Sequence, residues 1–329
     1  MSLPRRHLLS ILAALSAAAA LPGAALAQAW PTARPVTIVV SFPPGGDTDA
    51  LARLFGEKLA ARIGQQVIVD NRTGASGTIG NAYVAKAAPD GSTILFTPNT
   101  IAIATLVLKA GTGASYDLGN DFVPIIQMGS QSLFLVVNAA TGIGSVKDLV
   151  AAAKSGKVQT YASPGSGSPM HILGELFNKS AGTRIQQVPY RGSGPAITDL
   201  VGGHVPMMWT TLGPVAPHVA TGKLKVLAVA DAKRSPLAPD VPTLAELGFR
   251  DAEVSAWQGF MAPKGTPAEI VKTLNGHFNE ILKMPDVVQR MTQLALVPVG
   301  GEAAQFGKLA ADDHKRYAGV VKEFGIQAD

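Results

Sequence analysis

Residues 38–64 read IVVSFPPGGDTDALARLFGEKLAARIG. Ile38, Val39 and Val40 form a short apolar β-branched run, the composition of a buried strand. Pro43-Pro44-Gly45-Gly46 continues neither a strand nor a helix and reads as a turn. From Thr48 onward, Leu51, Leu54, Phe55, Leu59 and Ile63 recur on one helical face, and Gly64 suits the left-handed residue that ends a helix. The stretch is therefore strand, turn, helix. The first amides of a helix have no intrahelical acceptor, so such a turn is a seat for an anion. A tight turn at Gly45-Gly46 and a simple N-cap at Thr48 satisfy the same residues, and the rest of the chain has to decide.

The same grammar recurs. The runs VTIVVSF, QVIVD, STILFT, FLVVN, VQTYAS, IQQVPY and KLKVLAVA are candidate strands. They alternate with helical-period segments such as SVKDLVAAAKSG, capped by Ser145 and ended near Gly156. Alternation of this kind is the signature of α/β domains with largely parallel sheets. In YASPGSGSPMHILGELF, Ser168 is the expected N-cap and Pro169 the first helical residue. In VPYRGSGPAITDLVGG, Arg191-Gly192-Ser193-Gly194 precedes Pro195 in the same way. In open α/β sheets these turns lie at the carboxyl ends of strands, where ligands bind. Residues 232–248 read as a surface excursion. From Thr266 the chain turns helical and is expected to pack back on the first domain, leaving that domain discontinuous.

The 329 residues, 47% hydrophobic and 16% charged, suit a folded protein of about two domains. Arg5-Arg6, the apolar run LLSILAALSAAAALPGAAL, and small-x-small sites at Ala25-Leu26-Ala27 and Ala27-Gln28-Ala29 make residues 1–29 a cleavable export signal rather than a membrane anchor. The export route stays open. Removing the signal leaves 26 basic against 23 acidic residues, a formal +3. With no basic run interleaved with aromatics, that balance excludes a nucleic-acid partner. Cysteine is absent, which removes disulfides, thiolate catalysis and Cys-based zinc sites. His171, His204, His218, His277 and His314 form no metal-ligand spacing, and Ser166, Ser168 and Ser193 fit no G-x-S-x-G elbow. Neither PPGGDTD nor SPGSGSP contains a P-loop lysine or a G-x-G-x-x-G frame. No catalytic residue, metal or cofactor is therefore expected.

FPPGGDTDALARLF, VIVDNRTGASGTIGNAYVAKAAPDGSTILF, YASPGSGSPMHILGELF, VPYRGSGPAITDLVGGHV, KRSPLAPDVPTLAELG and GTPAEIVKTLN occur in this order. Together they resemble the substrate-binding proteins of tripartite tricarboxylate transporters, the Bordetella uptake gene family, over essentially the whole mature chain. The resemblance implies a two-domain periplasmic binding protein of the Venus-flytrap, type II-like kind, with a ligand cleft between its domains. Those domains are expected to be residues 30–129 plus 254–329, and residues 130–253. The implied function is capture of a small mono-, di- or tricarboxylate and its delivery to transporter membrane subunits, with the protein itself monomeric. By the same resemblance, Gly45, Gly46 and Thr48 hold the ligand carboxylate from the first domain, and Ser166, Gly167, Ser168 and His171 from the second. Arg191 either reaches the ligand or pairs with an acid across the cleft.

Three departures from the family pattern carry information. Asp47 stands where relatives often have a small or neutral residue, so it faces solvent or the helix terminus, or it selects a ligand bearing an ammonium or hydroxyl. Thr210 follows Trp209 where the family often has an Asp associated with amino-bearing ligands, which argues against an amino acid. FTPNTIAIATLV leaves Asn99 and Thr100 as cleft candidates. Phe42 and Trp209 near the expected cleft allow an aromatic carboxylate. The alternatives are a sensor subunit docking on a membrane receptor and a cofactor-free enzyme.

Overall fold

The computed structural model describes residues 30–31, 34–107, 115–254 and 256–327; the expected export signal, residues 1–29, lies outside them. In chain order the described strands are β1 (Val36–Val40), β2 (Val67–Asn71), β3 (Thr93–Pro98), β4 (Phe122–Gln131), β5 (Phe134–Asn138), β6 (Thr160–Ser163), β7 (Gln186–Pro189), β8 (Met207–Thr210), β9 (Leu224–Val229), β10 (Ala256–Pro263) and β11 (Val297–Pro298). The helices are α1 (Asp47–Ile63), α2 (Thr78–Ala85), α3 (Ala104–Val107), α4 (Leu118–Asp121), α5 (Val146–Lys154), α6 (Pro169–Ala181), α7 (Ser193–Gly202), α8 (Leu212–Ala220), α9 (Ala268–Ile281), α10 (Pro285–Gln293) and α11 (Ala303–Phe324).

The strands make two sheets, ordered β11-β4-β10-β3-β1-β2 and β7-β6-β8-β5-β9. β1 is parallel to β2 and β3, and β6 to β7 and β8. β10 runs antiparallel between β3 and β4, and β5 antiparallel between β8 and β9. The seven expected strands are all present. β4, β8, β10 and β11 are additional, and α1 begins one residue before Thr48.

This topology positions the site. The chain passes from the end of β4 to the start of β5 through Ser132-Leu133, and from the end of β9 toward β10 through residues 230–254. Both crossings leave the carboxyl ends of strands that pair antiparallel with their neighbours but point the same way as the parallel strands of their sheet. In the first sheet Pro98, the end of β3, pairs with Gln258, and Gln131, the end of β4, pairs with Ala256. In the second, Thr210 and Val229 both pair with Phe134. The strand ends of the two sheets therefore converge on one double crossover, the place where α/β folds put ligands.

Each sheet is covered on both faces. Ile38, Val40, Phe96 and Phe260 pack against Leu51, Phe55, Leu274 and Phe278 of α1 and α9. Phe260 and Phe278 are stacked at 4.1 Å between ring centroids, and Phe55 meets Phe96 edge-on at 5.6 Å. The C-terminal helices thus pack on the first sheet, as expected, although β11 interrupts them and pairs with β4. The opposite face joins Leu95, Trp257 and Met261 to Phe306 and Tyr317 of α11, and runs on into Leu135, Tyr161, Ile172, Phe177 and Trp209 of the second sheet and α6. The remaining face, with Phe134, Val136 and Met208, is closed by Ala196 and Leu200 of α7 and Val215 of α8.

Gly259 lies where two layers close most tightly. A Cβ there would stand 2.4 Å from Phe306 Cζ and 2.7 Å from the Ile126 carbonyl oxygen. Gly259→Ala should lower stability by about 1–3 kcal/mol, because backbone cannot yield as a flexible side chain does. Urea unfolding measures this, and an unchanged midpoint would contradict the packing described.

Candidate functional site

The first loop is built from beneath. α1 starts after Gly46, whose backbone is extended (φ −83°, ψ 170°), and no side chain caps the helix. The carboxylate that could have done so, Asp49, instead reaches back to the turn. Gly45 N–H donates to Asp49 Oδ2 at 2.9 Å, and Arg53 binds the same carboxylate in a fork, Nε to Oδ2 at 3.1 Å and Nη2 to Oδ1 at 2.9 Å. Asn71, the last residue of β2, donates from Nδ2 to Asp49 Oδ1 and to the Phe42 carbonyl, both at 3.0 Å. Asp49 is 4% exposed. Burial alone would raise its carboxyl, but the bonds from Arg53, Gly45 and Asn71 outweigh that and hold it below the usual carboxylate range. The Gly45 amide is therefore used within the loop. The opening amides of α1, at Asp47 and Thr48, have neither an intrahelical acceptor nor a cap.

Asp47 is half-buried at the first helical position, and burial raises its carboxyl above the ordinary range. It lies at the helix terminus, one of the placements expected for it, where the macrodipole favours the charged form. The loop is also tied sideways. Ser41 Oγ donates to Asn81 Oδ1 at 2.6 Å, Asn81 Nδ2 to Tyr116 Oη at 3.2 Å, and Tyr116 Oη to the Ile101 carbonyl at 2.7 Å. This buried chain joins the end of β1 to the turn after β3. Beside it, Ala75 and Ser76 hold left-handed backbone (φ 46° and 53°), a strain that costs about 1–3 kcal/mol per residue and persists only where the surroundings impose it.

The second loop is closed on itself. Ser168 caps α6 by accepting from His171 N–H at 3.2 Å and donates its hydroxyl to the Gly165 carbonyl at 2.7 Å. Gly167 N–H donates to His171 Nδ1 at 3.1 Å, so Nδ1 carries no proton, and Nε2 stands 3.9 Å from Glu175 Oε1. Gly167, Ser168 and His171 thus shape the loop by bonding to one another. Ser166 is half-buried, and its hydroxyl makes no bond among the described residues. Gly167 (φ 72°) also closes on the other sheet's layer: a Cβ there would stand 2.4 Å from Val107 Cγ2 of α3.

The other expected residues separate by environment. Phe42 is half-buried against Gly77, and Thr100 is half-buried. Asn99 is fully buried and bonds to Tyr317. Arg191 is exposed, with no carboxylate in ion-pair reach among the described residues. Trp209 is 0% exposed and meets Phe177 edge-on at 5.4 Å in the core, so it presents no face to a ligand. That corrects the expectation of an aromatic wall at this position; β8 buries both of its faces and only its end reaches the crossover. Thr210 at that end is also 0% exposed, and its Oγ1 has no protein partner among the described residues. Sequence reasoning missed Asp49 and Asn71. For Asp49 a signal existed: an acid four residues after a turn glycine and four before an arginine.

The sequence profile of the family described as "Tripartite tricarboxylate transporter family receptor" matches residues 51–326. The chain belongs to this family. It is similar to the protein BugT of Bordetella pertussis (strain Tohama I), with 38% identity over 98% of both chains. Among solved structures, R. palustris Rpa4515 with adipate shares 34% identity at a TM-score of 0.81, covering 91% of this chain and 99% of that one. MatC from Rhodopseudomonas palustris with bound malate shares 30% identity at 0.77, covering 88% and 99%. The receptor family and its structural neighbours are solute-binding proteins, so this chain has the two-domain periplasmic-binding-protein fold and is not an enzyme.

The Asp49 network has a measurable signature. Asp49→Asn should cost about 1–3 kcal/mol at pH 7, since Arg53 and the Gly45 amide lose a buried charged acceptor. A carboxylate held low in the folded state stabilises above its unfolded value of about 4, and that stabilisation disappears as pH falls through the folded value. Urea titrations should therefore show the gap between wild type and Asp49→Asn narrowing from pH 7 to pH 3, and a constant gap would contradict an ionised Asp49.

Proposed function

We propose that the chain captures a small mono-, di- or tricarboxylate in the periplasm and delivers it to the membrane subunits of a tripartite tricarboxylate-type transporter. One observation carries this reading: α1 begins uncapped at the double crossover, and its turn is held by a carboxylate placed behind it. Asp49 fixes the loop from inside without covering the amides of Asp47 and Thr48. A ligand carboxylate at that position accepts from these amides and from the Thr48 hydroxyl, and gains about 0.3–2 kcal/mol from the helix dipole. The half-buried Ser166 completes the site from the other sheet.

Two lobes, residues 30–129 with 254–329 and residues 130–253, close on the ligand about the crossovers, and the membrane subunits recognise the closed form. The adipate and malate in the two R. palustris structures support the ligand class. Residues 1–29 direct export and are removed.

The test is calorimetric titration of residues 30–329 with mono-, di- and tricarboxylates. At a free concentration of about 100 times Kd, a binding carboxylate should stabilise the native state by about 2.7 kcal/mol, raising the melting point. Gly46→Asp gives the sharper result. It supplies the missing cap at a backbone conformation that Asp accepts, so unliganded stability should hold or rise by a few tenths of a kcal/mol while carboxylate affinity falls by more than about tenfold. Undiminished affinity in this variant, or no carboxylate binding by the wild type, would overturn the reading.

A further inference from the structure

α6 belongs to the second sheet, yet both of its ends rest on the layer of the first. It packs on β6 and β8, and its buried Ile172, Leu173 and Phe177 join Tyr161 and Trp209. At its N-terminal end the backbone of Gly167 lies against α3. The three heavy atoms nearest to a Cβ placed there all belong to Val107, Cγ2 at 2.4 Å and Cβ and Cγ1 at 3.3 Å. At its C-terminal end Lys179 Nζ donates to Glu323 Oε1 of α11 at 2.6 Å, beside a groove of about 510 Å3 that Asn178, Thr183 and Phe324 also line. By helical rise the two contacts are roughly 18 Å apart.

One helix of the first layer supports both contacts. α11 meets α6 directly through Glu323, and it carries α3 through the turn that precedes it. His314 Nδ1 donates to the Ala102 carbonyl at 2.8 Å, and Tyr317 is bonded to Asn99. Tyr116 holds the Ile101 carbonyl of the same turn. α11 is also fixed to the second crossover, where Arg316 donates to the Glu253 carbonyl and Trp257 Nε1 donates to Asp313 Oδ2 at 2.7 Å. It therefore lies where the proposed lobes turn. The two ends of α6 differ in compliance. Lys179 and Glu323 are long, half-exposed side chains that can follow a moving partner. Gly167 sets backbone against a β-branched side chain with a stiff χ1, in a layer packed too closely to slide.

A helix held at two points so far apart cannot turn with its own lobe unless one of them is released, and the rigid contact is the one that must go. We infer that Val107 is a positioning residue for the ligand, the stop that sets how far the lobes close. α6 turns with its lobe about the crossovers, keeps its C-terminal end on α11, and halts where the Gly167 backbone meets Val107. Ser166, the hydroxyl assigned to the site from the second sheet, is the adjacent residue, so the stop fixes its distance from the opening amides of α1. Glycine at 167 then serves twice, by accepting a left-handed backbone (φ 72°) and by lacking the Cβ that would hold the lobes apart. The inference rests on the proposed closure around a carboxylate and adds to it the contact that sets the closed position.

The chain contains no cysteine, so spin labels on Lys272→Cys and Lys223→Cys report one inter-lobe distance. Lys272 is exposed on α9 and Lys223 is exposed just before β9, at the ends of the two sheets away from the crossovers. Double electron–electron resonance on residues 30–329, without ligand and with saturating malate or adipate, compares the wild type, Gly167→Ala, and Gly167→Ala combined with Val107→Ala. Both variants carry the same backbone strain at position 167, so a difference between them reports the contact. Gly167→Ala should lose the shortest distance seen in the wild type and, by calorimetry, bind the carboxylate at least about tenfold more weakly, because the closed form is less populated. Adding Val107→Ala should restore that distance and bring the affinity to within about threefold of wild type. Unliganded, the two variants should melt within about 2 °C of each other, since the contact is absent from the open form. Equal distances in the two variants would overturn the inference, as would one unchanging distance in the wild type under every condition. So would an unliganded Gly167→Ala melting well below the double variant, the mark of a permanent packing contact. If neither malate nor adipate binds, the carboxylate function falls, while the distances still decide the stop.

Discussion

A helix that begins without a side-chain cap leaves its opening amides with no acceptor, and most folds correct this with a Ser, Thr or Asp at the N-cap. Here α5 and α6 are corrected in that way, by Ser145 and Ser168, and α1 is not. The turn before α1 is held from behind by Asp49, which Arg53 and Asn71 keep charged and aimed at Gly45. Rigidity and vacancy of the amides are thus obtained together. A Ser at position 46 would give the first and remove the second.

The double crossover places that helix start opposite the second sheet. The two sheets send their parallel strand ends to the same edge, so loops distant in sequence share it: the turn after β1, the turn after β3, the loop before α6, and Thr210. The two sides differ in character. The α1 side presents uncapped opening amides, while on the α6 side the amides of Gly167 and His171 are taken up by His171 Nδ1 and Ser168 Oγ, with Gly167 pressed on Val107. The resemblance to transporter receptors suggested two comparable jaws; in the structure the turn before α1 is held from behind by Asp49, whereas Gly167, Ser168 and His171 bond to one another.

The strand-turn-helix units, their caps and the return of the C-terminal helices were legible because each rests on local chemistry: β-branched runs, Ser168-Pro169, Gly64. The strands β4 and β10 were not. AWQGFMAP is buried at every position and so shows no alternation, and FVPIIQMGSQ carries Pro124 in mid-strand. At the site, position could be read but not direction. Thr48 and Thr210 stood out, yet nothing local reveals that Trp209 faces the core, that the His171 ring turns back to Gly167, or that Asn71 on the edge strand completes the Asp49 network. Those depend on partners far away in sequence.

The central claim is that the amides opening α1 receive the ligand carboxylate while Gly45 stays tied to Asp49. Amide proton shifts of 15N-labelled protein, titrated with a carboxylate found to bind, test it directly. Asp47 and Thr48 should move strongly downfield as they gain a charged acceptor, and Gly45 should move little. Saturable binding with Asp47 and Thr48 unmoved, or with Gly45 as the most shifted amide of the loop, would contradict the account.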